Sequence, residues 1–406
     1  MSPKLAIVLT LISLLCRPAY SDLSSVALAE EDEWPRWRGS DGRGLSTESW
    51  KPEALLRPKM LYRVQVGEGV CSVSIAAGRL YTMGNQDGKD VVSCLDAKTG
   101  KPLWRHVYKC AAGNFYGPRA TPTVDGGMVY TLSRNGLAFA LDAASGEPRW
   151  QADLMTEHGA KNNDYGITGS PLLAGDAVIY NANLRGIALD RKTGKKIWSS
   201  ASGYGGFASP VAIDRGGKPA IALFGAGELC LLDPATGQSL ANFPWKTSFD
   251  ANSADPVFFD GKIFITSGWD RGCALLSLAG DRLSPLWQNT EMRSQLASPV
   301  YLDGHLYGID DNTPNGQLRC LDAATGKTKW TRKGGFGNLV VADGRILTID
   351  KQGTLLVVAA DPSACKELAK LAVLGSKAKN WIAPVLADGL LYCRDSEGTL
   401  VCLDVH

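Results

Sequence analysis

The chain has 406 residues, 45% of them hydrophobic, with 43 basic against 41 acidic residues and a formal charge of +2. That apolar fraction is ordinary for a folded chain with an ample core. The even charge balance lacks the basic stripe that a phosphate backbone demands, which excludes a nucleic-acid partner.

The first 21 residues read as a signal peptide: Lys4, an apolar run from Leu5 to Cys16, Arg17-Pro18, and the small-residue site Ala19-Tyr20-Ser21. Cleavage is expected after Ser21, with Ala27-Leu28-Ala29 as the alternative. The run is too short to span a bilayer, which needs about 20 apolar residues, and no later run reaches that length. Export with no transmembrane segment left after signal removal therefore implies a periplasmic or secreted protein. Residues 22–59 form an N-terminal extension that carries Trp34-Pro35-Arg36-Trp37-Arg38-Gly39. A strand-like stretch from Met60 to Gly67 follows.

From there the chain is a repeat. The pattern L-D-x-x-[ST]-G-x-x-x-W runs from Leu95-Asp96 to Trp104, Leu141-Asp142 to Trp150, Leu189-Asp190 to Trp198 and Leu321-Asp322 to Trp330. A related Leu232-Asp233-Pro234-Ala235-Thr236-Gly237 lies between the third and fourth copies, Leu276 to Trp287 is a degraded copy, and another is expected near Val357 to Asp361. The chain ends on the first half of one more copy, Val401-Cys402-Leu403-Asp404. The spacing is 46, 48 and 43 residues over the first three intervals, and Asp96 to Asp404 holds seven intervals of 44, hence eight units. Phrases such as Val300-Tyr301-Leu302-Asp303-Gly304-His305-Leu306-Tyr307 read as strand, Asp-Gly turn, strand.

Four antiparallel strands per unit is the spacing of propeller blades. The expected fold is thus all-β, an eight-bladed β-propeller over residues 60–406. The last blade lacks a fourth strand after Asp404, and residues 60–67 are expected to supply it, closing the ring without leaving free sheet edges. Asp96, Asp142, Asp190, Asp233, Asp322 and Asp404 are read as turn acceptors. Trp104, Trp150, Trp198 and Trp330 are read as wedges between blades.

These motifs resemble the tryptophan-docking motif of the pyrroloquinoline quinone (PQQ)-type β-propeller repeat family, A-x-D-x-x-T-G-x-x-x-W. It is matched by Cys94 to Trp104, Ala140 to Trp150, Ala188 to Trp198 and Cys320 to Trp330. The leader Trp34 to Gly39 resembles the W-P-x-W-R-G opening of exported bacterial members. The resemblance implies the fold. For function it offers quinone-dependent alcohol and glucose dehydrogenases on one side and a cofactor-free outer-membrane assembly lipoprotein that works as a scaffold on the other. Leu15 before Cys16 does not match a lipoprotein signal.

The ten cysteines include Cys94, Cys320 and Cys402 at a small-residue core position two before the motif Asp. Cys393 and Cys402 flank one turn and form a candidate hairpin disulfide. Phosphate-loop, dinucleotide, nucleophile-elbow and zinc motifs are absent from the sequence. The calcium-like spacing Asp311 to Asp322 reads as coincidence inside a hairpin loop.

The informative side chains sit on loops that enter each first strand. First strands line a propeller channel, so these loops should ring one of its mouths. Tyr116, Arg119, Asp164, Tyr165, Phe207, Asn252, Arg293, Gln295, Asn338 and Trp381 are the candidate ligand-binding residues, either as a recognition funnel or as a plug against water. The expected function is a non-catalytic binding scaffold for a protein, peptide or small ligand, with no cofactor and no metal. The alternative is a PQQ- and calcium-dependent dehydrogenase using Asp164, Asn252 and Asp255, although the vicinal Cys-Cys pair of that branch is missing. The further alternative is an outer-membrane protein assembly scaffold.

Overall fold

The computed structural model describes residues 33–111, 113, 115, 117–162, 165–312, 316–375 and 379–406. The expected signal peptide lies outside them. Eight antiparallel sheets follow one another in chain order, spanning residues 74–109, 123–153, 172–199, 211–244, 257–289, 300–333, 336–372 and 385–404. Each has its strands in sequential order from the channel outward, which is the expected eight-bladed propeller. No helix among the described residues is long and apolar enough to cross a membrane.

Closure follows the expected scheme. Lys59–Gln65 pairs antiparallel with Thr399–Asp404 and supplies the outer strand of the eighth blade. A buried arginine spans the same seam: the Arg394 guanidinium donates to Cys71 O, Thr82 Oγ1, Gly67 O and Met83 O. The seventh blade departs from four strands, because Leu45–Ser46 adds a fifth, parallel strand on its inner edge.

The repeat motif has a mechanical explanation. Asp142 Oδ1 accepts from the Ala144 and Ser145 amides and from Ser145 Oγ, and Asp96, Asp190, Asp233 and Asp322 hold their turns in the same way. The Trp104 indole donates to Ala143 O on the next blade at 2.9 Å, and Trp150, Trp198, Trp287 and Trp330 donate to Arg191, Pro234, Ala323 and Asp361 carbonyls. The motif glycine is the bed for this ring. A Cβ on Gly146, whose φ is +77°, would come within 2.4 Å of the Trp104 indole.

In the eighth blade Tyr62 occupies the docking position, its hydroxyl donating to Ala97 O above Gly100. Ala241 and Ala369 stand there in the fourth and seventh blades. Burying the Trp150 and Trp198 indoles, each 8% exposed, between two sheets contributes on the order of 3–5 kcal/mol.

The candidate disulfide is corrected by register. Cys393 pairs with Val401 and Cys402 with Tyr392. Neighbouring positions along a strand face opposite sides of the sheet, so the two thiols diverge and both are free. Cys94, Cys320 and Cys402 lie opposite Trp104, Trp330 and Tyr62, as buried small residues against the docked rings.

Candidate functional site

A chain of hydrogen bonds links the first six blades along the channel wall. The Ser72 amide donates to Thr121 Oγ1, the Thr121 amide to Ser170 Oγ, the Ser170 amide to Ser209 Oγ, the Ser209 amide to Asp255 Oδ1 and the Asp255 amide to Ser298 Oγ. The first six blades thus hold one another at the same register. From Thr121 onward the sequence carries the signal as a small residue, then Ser or Thr, then Pro, with Asp255 as the single acidic member.

Asp255 is acidic because something else uses its second oxygen. The Trp37 indole donates to Asp255 Oδ2 at 2.6 Å, and the Arg38 guanidinium lies 4.0 Å from the same oxygen. Arg38 also donates to Ser298 O, Pro299 O, Gly42 O and Arg43 O. Burial raises the Asp255 carboxyl above its ordinary range, opposed mainly by Arg38. Burial likewise lowers Arg38, with Asp255 pulling the other way.

These contacts belong to a strap. Residues 33–50 cross the channel at the end where the first and second strands turn. Glu33 accepts from the Ala77 amide, Trp34 bridges Ile75, Pro35 O accepts from Val124, Leu45–Ser46 pairs with the seventh blade, and Glu48 accepts from the Gly389 amide. The strap closes the hairpin face of the ring, and Trp37 becomes the floor of the channel.

The opposite end is open. Above Trp37 lies a cavity of about 900 Å³ on the loop face, in the range of small-molecule sites. Aromatic rings cluster on its wall: Phe115 to Tyr165 at 5.3 Å, Tyr165 to Phe207 at 5.7 Å, and Phe249 to Trp269 at 5.8 Å between centroids. Phe336 and Trp381 line the far side beside Lys351, Gln352, Lys379 and Asn380. Trp269 and Asp270 both have left-handed backbones, φ +53° and +57°. Such strained positions concentrate at ligand clamps and active sites.

Six of the ten sequence candidates line this cavity: Arg119, Tyr165, Phe207, Gln295, Asn338 and Trp381. Tyr116 and Asp164 lie outside the described residues. Asn252 and Arg293 are turned away. The Asn252 amide donates to Gly225 O, Ala226 O and Trp245 O and accepts from Ser267 Oγ, so it braces the loops from within. Arg293 is held in ion pairs with Asp270 and Asp310.

Sequence reasoning missed Trp37, Phe249, Trp269 and Lys351. Trp269 and Lys351 sit on turns between second and third strands, and Trp37 sits on the strap, so a search of first-strand loops passes over them.

Two charged groups in the cavity are shifted. Arg119 donates to Phe115 O and Tyr165 O, and burial, then Arg134, brings its guanidinium down to about 10. Asp311 accepts from the Gln295 and Leu296 amides, yet burial pushes its carboxyl up to about 7.

The quinone and calcium reading does not fit these residues. A calcium site needs several carboxylate and carbonyl oxygens turned to one point. Asn252 Oδ1 and both Asp255 oxygens are already engaged by Ser267, Ser209 and Trp37. No cluster of three or more acidic, histidine or cysteine side chains placed to hold a metal occurs among the described residues.

A family model described as outer membrane protein assembly factor BamB matches residues 36–202, 88–332 and 315–406. The outer membrane protein assembly factor BamB of Moranella endobia is 26% identical over 311 residues, 72% of this chain and 76% of that one. Among solved structures, BamB from Moraxella catarrhalis superposes with a TM-score of 0.65 at 16% identity, covering 86% of this chain and 99% of that one. A quinohemoprotein alcohol dehydrogenase from Comamonas testosteroni superposes with a TM-score of 0.71 at 14% identity, covering 93% and 81%. At those identities both structures share the fold and nothing more specific.

Proposed function

The chain belongs to the family described as outer membrane protein assembly factor BamB, and from that premise we propose that it is a non-catalytic propeller scaffold that recognises a partner at its loop-face cavity. The BamB relatives supply the class of partner, a component of outer-membrane protein assembly in the periplasm. The carrying observation is the asymmetry of the channel: a strap seals the hairpin face, and the loop face alone presents a wide aromatic-lined opening. The acids near the channel support a binding role over a chemical one, since Asp255 holds the strap and Asp311 caps two amides. A general base needs an oxygen within reach of a substrate proton.

A photo-crosslinking residue at Phe249 should capture an assembly component from envelope extracts. The Trp269→Ala, Trp381→Ala double variant should lose the adduct while melting within about 2 °C of the parent. If added quinone and calcium instead give dye-linked alcohol oxidation that the same double variant abolishes, the scaffold reading fails and the dehydrogenase reading stands.

A further inference from the structure

We infer that the cavity above Trp37 takes a short neutral oligosaccharide. This rests on the loop-face cavity being the recognition site and adds the chemistry of what fills it.

Main-chain recognition is restricted there. The amides of Ser72, Thr121, Ser170, Ser209 and Asp255, which lead into the first five inner strands, are consumed by hydroxyls and a carboxylate. Lower down, the strap uses the inner edges at Ile75, Val124 and Val341. An extended peptide entering the channel finds those positions taken, and added-strand recognition depends on free ones. Side chains are left to do most of the binding.

Those side chains alternate in kind. Flat rings of Phe249 and Trp269 on one wall adjoin Gln295 and Asn312, and Phe336 and Trp381 on the other adjoin Asn338 and Gln352. Phe249 is 56% and Phe115 40% exposed, so apolar faces are presented at the opening, where a ligand would cover them. A ligand that satisfies both kinds of surface has apolar C–H faces and a rim of hydroxyls that donate and accept, and pyranose rings have that distribution.

Charge does not organise the site. Arg119 already donates to two carbonyls, and Lys379 lies 5.8 Å from the centre of the Trp381 ring. Both cations are thus taken up by the protein, and the side chains that remain can be met by a ligand that carries no charge. The closed floor at Trp37 limits the length that enters.

The test is titration of the full chain with cellotetraose, maltotetraose and chitotetraose, read by calorimetry and by tryptophan fluorescence. At least one should bind and shift indole emission. Trp381→Ala and Gln295→Ala should each weaken it about tenfold or more, the cost of one well-placed contact, with melting unchanged. Trp381→Phe keeps a flat ring and should retain most of the affinity, which guards against a folding defect in the alanine variant.

Absence of heat and emission change with all three sugars at about 10 mM, well above the range of specific sites, overturns the saccharide assignment. If crosslinking at Phe249 still captures an assembly component, the scaffold reading survives that result. Sugar binding that is indifferent to both Trp381→Ala and Gln295→Ala overturns the site.

Discussion

The two ends of the channel are built from the same repeat and treated oppositely. At the hairpin face the strap places Trp37 and Arg38 into the ring and engages five blades, the first, second, fifth, sixth and seventh, before reaching the eighth. At the loop face the aromatic side chains stay partly exposed around an open cavity. The Asp-Gly turns beneath the strap are nearly identical, with Asp303 and Asp343 at φ +46° and +48°, whereas the loops above differ from blade to blade. A uniform surface can be covered by one continuous segment. A varied one can recognise something specific, which is how repeat scaffolds encode partners.

The largest effect should come from removing the segment that serves both closure and seal. Deleting residues 22–67 takes away the strap and the outer strand of the eighth blade. Thermal unfolding should lose its cooperative transition or fall by more than about 10 °C. Melting within about 2 °C of the parent would show that the ring closes without them.

A finer cut tests the fastening alone. Arg38→Met leaves Asp255 as a buried carboxylate with its cation gone, which should cost about 3–5 kcal/mol in denaturant unfolding. Adding Asp255→Ser should recover at least half of that loss, because serine supplies the hydroxyl used at the neighbouring junctions. A single-variant cost below about 1 kcal/mol would mean that Arg38 does not hold the strap down.

The smallest expected effect belongs to the open end. The Asp311 carboxyl is raised to about 7, so the folded chain binds a proton that the unfolded chain releases near its ordinary value of 3.8. Its contribution to stability is full below that unfolded value and is lost as pH rises through about 7. Asp311→Asn should flatten the pH dependence of the melting midpoint across that window. An unchanged slope would place the titration elsewhere.

Much of the fold was legible because the signal is local and repeated. The Asp-to-Trp spacing reports one turn and one strand, and its four full copies with the seven intervals of 44 from Asp96 to Asp404 fix the blade count. The closing strand could be read from what the last blade lacked, although Tyr62 at its docking position could not, since no motif precedes it. The cavity was half legible. Loops entering the first strands bring six of the ten candidates to the cavity, yet Asn252 and Arg293 brace those loops from within, and Trp269 and Lys351 reach the opening from other turns. Strand register also decided the cysteines, since one residue of offset puts Cys393 and Cys402 on opposite faces.

The sequence by itself determined an all-β ring of eight blades and pointed to the end of the channel where loop variation collects. Only the tertiary structure decided that the Trp37-Arg38 segment is a seal. Its partners Asp255, Ser298 and Pro299 lie 218 to 261 residues away. Contacts at that separation leave no period in the chain. They exist because ring closure brings the first residues under blades five and six, where a single acidic residue stands in place of a hydroxyl.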